Sequence, residues 1–277
     1  MTLLNKIVTL GPSGTYSELA TKNYLSLHNL PLDIIYYNSI GQSLNAIGKD
    51  ASLGVLPIEN FSEGFVNLVL DHLINAELYI CAELLLPIQF SLVSHCDRAI
   101  DIDTVYVQFV AKGQCAEYLD ALSGTRFVST ESNTQTLLEI EGNKHAAAVI
   151  PSHLLKNQKF SHVVENITDY KNNQTRFLLF SDQPNLSYNG NSSAYKTSIL
   201  VFFHDDYPGF LEGVLNKFTG YKINLTSIVS RPTRQTFGHY HFFIDLEGHQ
   251  QNVQVAAALK EVQQEYRVKV LGSYLKS

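Results

Sequence analysis

The amino-acid sequence predicts an α/β protein with a two-lobed N-terminal part and a smaller C-terminal domain. Through residues 1–181, short apolar runs alternate with segments whose apolar residues recur at helical spacing. A polar stretch at residues 182–194, rich in Asn and Ser, then interrupts this pattern. Residues 195–277 resume strands and helices in a different order. At 277 residues, the chain is long enough for two or three domains with cores of their own.

The composition narrows the class of protein. Hydrophobic residues make up 45% of the chain and charged residues 17%, as in ordinary globular proteins. The net charge of −6 argues against non-specific nucleic-acid binding, which needs a basic surface. Since no run of 18 apolar residues occurs, we expect no membrane span. Because few residues precede the first apolar run, we expect no signal peptide.

The three cysteines, Cys81, Cys96 and Cys115, are odd in number and lack Cys-x-x-Cys spacing. This pattern favours free thiols in a reducing compartment over a disulfide framework or a zinc site. We therefore expect a cytoplasmic protein.

The chain begins with a strand, a glycine-containing turn and a helix. Residues 7–10 are apolar and strand-like, the turn is Gly11-Pro12-Ser13-Gly14, and Thr15 with Glu18 has the spacing of a capping box. A turn at a helix N-terminus favours anion binding, but the motifs for nucleotide phosphates are lacking. A small carboxylate therefore suits this turn better than a phosphate, and a ligand-free turn is an equally good interpretation.

The rest of the first lobe continues as βαβ. Strands are predicted at residues 32–37 and 51–56, and helices at residues 39–47 and 66–74. Pro57-Ile58-Glu59-Asn60 follows the third strand, where open α/β sheets bind ligands. Glu59 and Asn60 could hydrogen-bond a substrate or brace the loop, and Gly64 favours close approach of a ligand to the backbone.

A second α/β lobe follows from residue 78. Its predicted elements are strands at residues 84–93, 104–110, 127–129 and 146–150, and helices at residues 114–122 and 134–140. Two further strands, residues 163–167 and 176–180, are expected to return to the first lobe. The first lobe then comprises residues 1–77 and 160–181 and the second residues 78–159, an arrangement like that of periplasmic binding proteins.

The C-terminal domain, residues 195–277, shows the order βαββαβ, which is typical of a ferredoxin-like fold. Its predicted strands are residues 196–203, 223–230, 240–246 and 268–271, and its helices are residues 208–219 and 253–266. Because the preceding linker is polar, we expect residues 1–181 to fold without this domain.

Asn173-Gln174-Thr175-Arg176-Phe177 is a polar turn that runs into an apolar strand. Thr175 and Arg176 are therefore placed at the mouth of a buried strand, where a hydroxyl and a planar guanidinium suit a small substrate with carboxylates. A capped strand end with an exposed arginine is the structural alternative.

Together with Gly11-Pro12-Ser13-Gly14-Thr15 and Pro57-Ile58-Glu59-Asn60, this motif resembles prephenate dehydratase, and the order of the motifs matches that family. The C-terminal third, with Pro208-Gly209 and Ser230-Arg231-Pro232, resembles the ACT regulatory domain. The resemblance implies conversion of prephenate to phenylpyruvate, CO₂ and water in phenylalanine biosynthesis. It implies no metal or organic cofactor, L-phenylalanine as feedback inhibitor, and a homodimer or homotetramer.

The resemblance also assigns site residues. Thr175 would donate a hydrogen bond to the leaving hydroxyl, and Arg176 would hold a carboxylate. The substrate contacts implied are Thr15, Glu59, Asn60, Thr130 and Phe177, of which Phe177 is better suited to packing than to stacking on the substrate. The effector would lie between subunits near Gly209 and the backbone of Asn224 and Leu225.

Several positions depart from the family. Phe61, Phe90 and Val229 stand where the family has polar residues, Val107-Gln108-Phe109-Val110 replaces a more polar run, and Phe210 replaces a small residue. They favour altered phenylalanine regulation, unless Phe210 points into the core of the C-terminal domain. They also leave three alternatives open: an enzyme acting on arogenate, a prephenate decarboxylase that does not aromatise the ring, and a catalytically silent amino-acid sensor.

Overall fold

The computed structural model describes residues 5–185, 187–202 and 207–277. The chain forms two α/β lobes and a C-terminal domain, as the sequence predicts. The strands of the N-terminal part are β1 Lys6–Leu10, β2 Asp33–Tyr37, β3 Leu53–Asn60, β4 Gly64–Phe65, β5 Tyr79–Pro87, β6 Phe90–Ser94, β7 Thr104–Gln108, β8 Arg126–Thr130, β9 Ala146–Pro151, β10 His162–Val164 and β11 Gln174–Ser181. Its helices are α1 Tyr16–Leu27, α2 Ile40–Ala46, α3 Asn67–Leu73, α4 Phe109–Gln114, α5 Ala116–Asp120 and α6 Asn133–Glu139.

The sheet of lobe one has the order β2-β1-β3-β11-β5, with β4 paired to β3. β1 runs parallel to β2 and β3, whereas β11 runs antiparallel to β3 and β5. One face of this sheet packs on α1 and the other on α2 and α3. β11 is thus a central strand, buried along seven of its eight residues.

The sheet of lobe two has the order β10-β6-β9-β7-β8. This topology corrects the lobe boundaries expected from the sequence. The chain remains in lobe one through β5, which pairs with β11, and β10 pairs with β6 in lobe two instead of returning to lobe one. Edge pairing of this kind depends on contacts distant in sequence, so no local pattern reveals it.

Two predicted elements of lobe two are divided. The apolar run at residues 84–93 is two strands, because the chain leaves one sheet and enters the other at Ile88 and Gln89. The helix predicted at residues 114–122 is shorter and follows a separate α4, since the backbone departs from helical geometry at Cys115.

The C-terminal domain contains β12 Tyr195–Phe202, α7 Phe210–Gly220, β13 Leu225–Pro232, β14 Tyr240–Glu247, α8 Val253–Glu265 and β15 Arg267–Leu275. The order is βαββαβ, and the antiparallel sheet runs β13-β14-β12-β15. Phe203, predicted as the end of the first strand of this domain, lies outside the described residues. Both helices pack on one face of the sheet around Val214, Phe218 and Leu259.

The other face of the C-terminal sheet packs on lobe one. Leu200, Phe243 and Leu271 from this sheet share one apolar cluster with Leu178 and Phe180 of β11. The two backbones approach closely at Gly272, where an added Cβ would lie 2.1 Å from the carbonyl oxygen of Ile80. Its φ of +151° also favours glycine. The two predicted domains therefore share a large apolar contact, which we call the domain seam.

Candidate active site

Two neighbouring strands, β3 and β11, carry the residues that the sequence assigns to the site. Their antiparallel register places Thr175 opposite Asn60 and Arg176 opposite Glu59. Because side chains alternate between the faces of a sheet, these pairs point in opposite directions. Thr175 lines a cleft between the two lobes, whereas Glu59 and Arg176 line a different cavity at the domain seam. The structure therefore does not bring Thr175 and Arg176 together on one substrate.

The cleft between the lobes encloses a cavity of about 340 Å³. Its walls come from the turn before α1, the ends of β3 and β11, the crossover between the lobes, and the starts of α4 and α6. The polar residues that line it are Thr15, Tyr16, Ser17, Asn38, Gln108, Gln114, Glu131, Ser132, Asn133 and Thr175.

Thr175 is held by Asn60. The Asn60 Nδ2 donates to Thr175 Oγ1 at 2.8 Å, and Asn60 Oδ1 accepts from the backbone N–H groups of Ser62 and Glu63 at 3.0 and 3.1 Å. The latter contacts fix the orientation of the amide, so its NH₂ group faces the threonine. Since the Thr175 oxygen accepts this bond, its own proton is available for an acceptor in the cleft.

The turn before α1 does not present a vacant anion site. Thr15 caps the helix by accepting from the Glu18 N–H at 3.3 Å, as the capping box predicts. The Glu18 carboxylate returns to the turn, where it accepts from Gly14 N–H at 2.6 Å and Ser13 Oγ at 2.9 Å. Burial opposes this charge, but hydrogen bonds from Lys22, Tyr36 and the turn lower the pKa of Glu18 to about 2. A carboxylate of the protein itself therefore uses the turn's donors.

Tyr16 joins the first helix to the crossover between the lobes. Its hydroxyl donates to the carbonyl of Gln89 and accepts from the Gln89 N–H at 2.9 Å. Its ring packs edge-on against Phe90, with centroids 5.8 Å apart, and burial raises the pKa of Tyr16 to about 12. The sequence-based reasoning missed Tyr16. Its position, an aromatic residue directly after the predicted N-cap Thr15, was the signal in the sequence that could have indicated a role for it.

The remaining predicted contacts occupy supporting positions. Phe177 shares the face of Thr175, is 1% exposed and packs with Val55 and Leu86 beneath the cleft. Thr130 ends β8, and its hydroxyl is 2.6 Å from that of Thr136 within lobe two. The wall beyond it consists of Glu131, Ser132 and Asn133.

The cleft is electrostatically unusual for a site expected to receive a dianion. Among the described residues that line it, none is lysine or arginine, and Glu131 is the one carboxylate. Asn133 Oδ1 is buried and has no hydrogen-bond partner in the described part of the chain. Hydroxyl, amide and backbone groups must therefore make the polar contacts to any ligand. No cluster of three metal-binding side chains is found among the described residues.

Arg176 lies at the domain seam, in a cavity of about 260 Å³ that is separate from the cleft. It donates to Glu83, Asp245 and Tyr274, and its Nη1 is 3.8 Å from Glu59. Burial opposes the charge of Arg176, but the surrounding carboxylates outweigh it and raise its pKa further. Burial raises the pKa of Glu59, and Arg176 offsets this only in part.

The predicted effector residues lie in the C-terminal domain. Gly209 precedes α7 with a φ of +94°, and Asn224 and Leu225 lead into β13. Phe210 is buried in the domain's core against Tyr266 and Phe242, so it does not fill a ligand pocket at the helix start. This placement agrees with the alternative interpretation, in which Phe210 points into the core of the C-terminal domain.

The Arg231 region is ordered from lobe one. Arg231 forms a two-pronged ion pair with Asp71 of α3, at 2.6 and 3.0 Å, and Arg234 reaches the same carboxylate at 2.5 Å. Val229 packs against the apolar cluster of the seam. Asp71 thus holds Arg231 without a carboxylate at residue 229.

Comparison with known proteins identifies the family of both parts of the chain. Residues 7–185 match the family model of prephenate dehydratase, and residues 197–264 match that of the ACT domain. The chain is 33% identical over 276 residues to a bifunctional chorismate mutase/prephenate dehydratase of Aquifex aeolicus, covering 98% of this chain and 74% of that protein. It is 33% identical over 267 residues to a prephenate dehydratase of Methanocaldococcus jannaschii, covering 95% of each.

A solved structure is similar as well. The prephenate dehydratase of Arthrobacter aurescens in complex with L-Phe superposes with a TM-score of 0.86 at 30% identity, covering 98% of this chain and 90% of that one. The two lobes, their cleft and the C-terminal βαββαβ domain define a two-lobed α/β enzyme with an attached regulatory domain. The chain belongs to the prephenate dehydratase family, and its C-terminal domain is an ACT domain. No helix in the described residues is long and apolar enough to cross a membrane.

Proposed function

We propose that this protein is a lyase that converts prephenate to phenylpyruvate, CO₂ and water in the cleft between its lobes. The observation that carries the proposal is the Asn60–Thr175 hydrogen bond, which leaves the threonine proton directed to another acceptor. In this reaction the bond from the ring to its carboxylate breaks and CO₂ leaves. The electron pair moves through the ring to make it aromatic, and the bond from C4 to oxygen breaks.

Thr175 stabilises the departing oxygen. A threonine hydroxyl is a weak acid, so its role is a hydrogen bond that strengthens as negative charge builds on the C4 oxygen. The hydroxide takes a proton from solvent and leaves as water. Asn60 is a positioning residue, because it fixes the direction in which the Thr175 hydroxyl donates.

Neutral donors bind the substrate carboxylates. Tyr16 and Ser17 line the cleft in the first turn of α1, where backbone N–H groups lie at the positive end of the helix dipole. Ser132, Asn133 and Gln108 face them from lobe two. Asn133 Oδ1, buried without a partner in the described residues, suits a hydrogen-bond donor of the substrate.

Arogenate is the second candidate substrate. It carries an ammonium group where prephenate has a ketone, so its net charge is less negative. The Glu131 carboxylate and the lack of lysine and arginine among the described residues of the cleft favour such a substrate. A decarboxylase that retains the C4 hydroxyl would not need the hydrogen-bond donor at Thr175. A catalytically silent sensor would convert neither prephenate nor arogenate.

Incubation of the purified protein with prephenate or arogenate separates these functions. We expect phenylpyruvate from prephenate, measured by its absorbance in alkali. Phenylalanine formed faster from arogenate would favour the second substrate, and CO₂ release without an aromatic product would identify a decarboxylase. If neither substrate is consumed, the dehydratase function is wrong and a sensor remains.

Regulation by L-phenylalanine is part of the proposal. The Phe-bound relative and the ACT domain support it, and the burial of Phe210 in the core removes the objection drawn from the sequence. We propose a cytoplasmic homodimer or homotetramer in which phenylalanine binds between ACT domains near Gly209, Asn224 and Leu225. Calorimetric titration with L-phenylalanine, combined with sedimentation of the protein at equilibrium, tests binding and subunit number together.

A further inference from the structure

Arg176 lies beside Thr175 in the chain but belongs to the domain seam. It is 7% exposed, and each of its terminal nitrogens has a separate partner. Nε donates to Glu83 Oε2 of β5 at 2.8 Å, Nη1 to Asp245 Oδ2 of β14 at 2.6 Å, and Nη2 to the Tyr274 hydroxyl of β15 at 2.8 Å. Two of these three partners come from the ACT domain.

A second set of contacts orients these partners. Ser198 of β12 lies 2.5 Å from Asp245 Oδ1 and 2.6 Å from the Tyr274 hydroxyl. Lys196, also of β12, contacts both Glu83 oxygens at 3.0 Å. Three of the four ACT strands thus meet at the guanidinium. Because Asp245 and Tyr274 are buried at 0% and 1% exposure, the position of the ACT sheet determines where Arg176 can sit.

The pairing of β3 with β11 is irregular next to Arg176, close to the active site. Along the β3–β11 pair, Arg176 faces Glu59 but Phe177 faces Pro57, so β3 has one extra residue at this point. A bulge of this kind changes the direction of neighbouring side chains and is sensitive to the contacts that hold it. The contact that holds β11 here is the buried Arg176 side chain, one residue from Thr175.

We propose that Arg176 is a positioning residue through which the ACT domain sets the orientation of Thr175. The guanidinium does not touch the substrate. It fixes the start of β11 against β14 and β15, so a displacement of the ACT sheet reaches the Thr175 hydroxyl through one peptide unit. This inference rests on the proposed dehydratase function, and it assigns to the second residue of the Thr-Arg-Phe motif a role between domains.

The test removes the ACT partner and keeps Arg176. Asp245→Asn has nearly the same shape but lacks the charge that holds Nη1. We expect the kcat for prephenate to fall by about ten- to a hundredfold with little change in KM, because a misplaced donor weakens the transition state more than the bound substrate. Tyr274→Phe, which removes one hydroxyl from the same network, provides a milder variant if Asp245→Asn does not fold.

The matched control is Asp71→Asn. It weakens another contact across the seam, the partly buried ion pair of Arg231, but it does not touch β11. We expect its kcat to remain close to that of the wild type at a comparable loss in Tm. An equal fall in kcat for both variants would mean that Arg176 contributes only to general domain docking, and the proposal would be overturned.

A double-mutant cycle tests whether the effect passes through Thr175. In a Thr175→Ala background, Asp245→Asn should cause little further loss, because the group that it positions is gone. Fully additive losses would refute the coupling. Amide hydrogen exchange adds a readout without turnover, and we expect faster exchange at residues 174–177 in Asp245→Asn than in Asp71→Asn.

Outcomes of the two proposals remain distinguishable. A wild-type chain that converts neither prephenate nor arogenate would refute the dehydratase function, and hydrogen exchange would then decide alone whether Asp245 holds the start of β11. An active wild type with unchanged exchange and unchanged kcat in Asp245→Asn would refute the positioning role alone.

Discussion

The cleft and the domain seam are formed by opposite faces of the same two strands. On the cleft face of β3 and β11, Asn60 and Thr175 are neutral, and the Thr175 proton remains available to a ligand. On the seam face, Arg176 is surrounded by carboxylates and each terminal nitrogen has a protein partner. The comparison shows how to distinguish the two roles. A ligand site retains hydrogen-bonding groups without protein partners, whereas the groups of a structural network hydrogen-bond to one another.

Deletion of the ACT domain, which removes the whole seam, is the largest change that tests the difference between the cleft and the seam. A chain ending at residue 181 keeps the cleft but loses Asp245 and Tyr274, and it exposes the apolar face around Leu178 and Phe180. We expect it to fold, with a Tm below that of the full chain, lower activity and no response to phenylalanine. Circular dichroism and the prephenate assay check these points. An insoluble product would show that lobe one requires the ACT sheet, against the boundary predicted from the polar linker.

Arg176→Leu should lower the free energy of unfolding as well as kcat. It leaves Glu83 and Asp245 buried without their common cation, and breaking a buried pair in this way typically costs about 3–5 kcal/mol. Urea unfolding of the full-length protein measures this loss. Arg98→Leu is the matched control, since Arg98 forms an exposed pair with Asp101 and should contribute little. Equal stabilities for the two variants would contradict the structural assignment of the seam.

Thr175→Ala should act chiefly on catalysis. Loss of one hydrogen-bond donor to a developing oxyanion typically lowers kcat by about 10²–10³-fold, or about 2.7–4 kcal/mol. Thr175→Ser retains the hydroxyl and should retain most of the rate. Steady-state kinetics with prephenate, together with Tm values, make the measurement. A Thr175→Ala enzyme with nearly wild-type turnover would exclude this hydroxyl from the mechanism.

Glu18→Gln should have the smallest effect on stability, and that effect should depend on pH. The folded state lowers the pKa of Glu18 from about 4.5 to about 2, so its charge stabilises the protein above the upper value. That contribution disappears as the pH falls from about 4.5 towards 2. We therefore expect the Tm difference between wild type and Glu18→Gln to be greatest at neutral pH and to shrink on acidification. The exposed Glu139→Gln serves as control, and a difference that grows in acid would reverse the argument.

The sequence predicts much of the fold because its signals are local. The Thr15–Glu18 capping box and the βαββαβ order of the C-terminal domain are confirmed. The separation of Thr175 from Arg176 was also predictable, since adjacent residues of a strand must face opposite sides. The family motif obscured this point, because a run of three residues suggests one shared task.

Other features lay beyond the sequence for physical reasons. The partners of Arg176 are 93, 69 and 98 residues away along the chain, and only the packing of two domains brings them together. The hydrogen bonds of Glu18 to Ser13 and Gly14 depend on the conformation of its side chain, which folds back onto the turn. The burial of Phe210 depends on which side of α7 meets the sheet.

The close contact at Gly272 constrains how the two domains can move. The backbone of β15 there lies against that of β5 with no room for a side chain, so the two sheets cannot approach further at that point. We therefore expect the ACT sheet to move by tilting about this contact near Ile80. In such a tilt, displacements of the ACT sheet grow with distance from the contact and are smallest beside it.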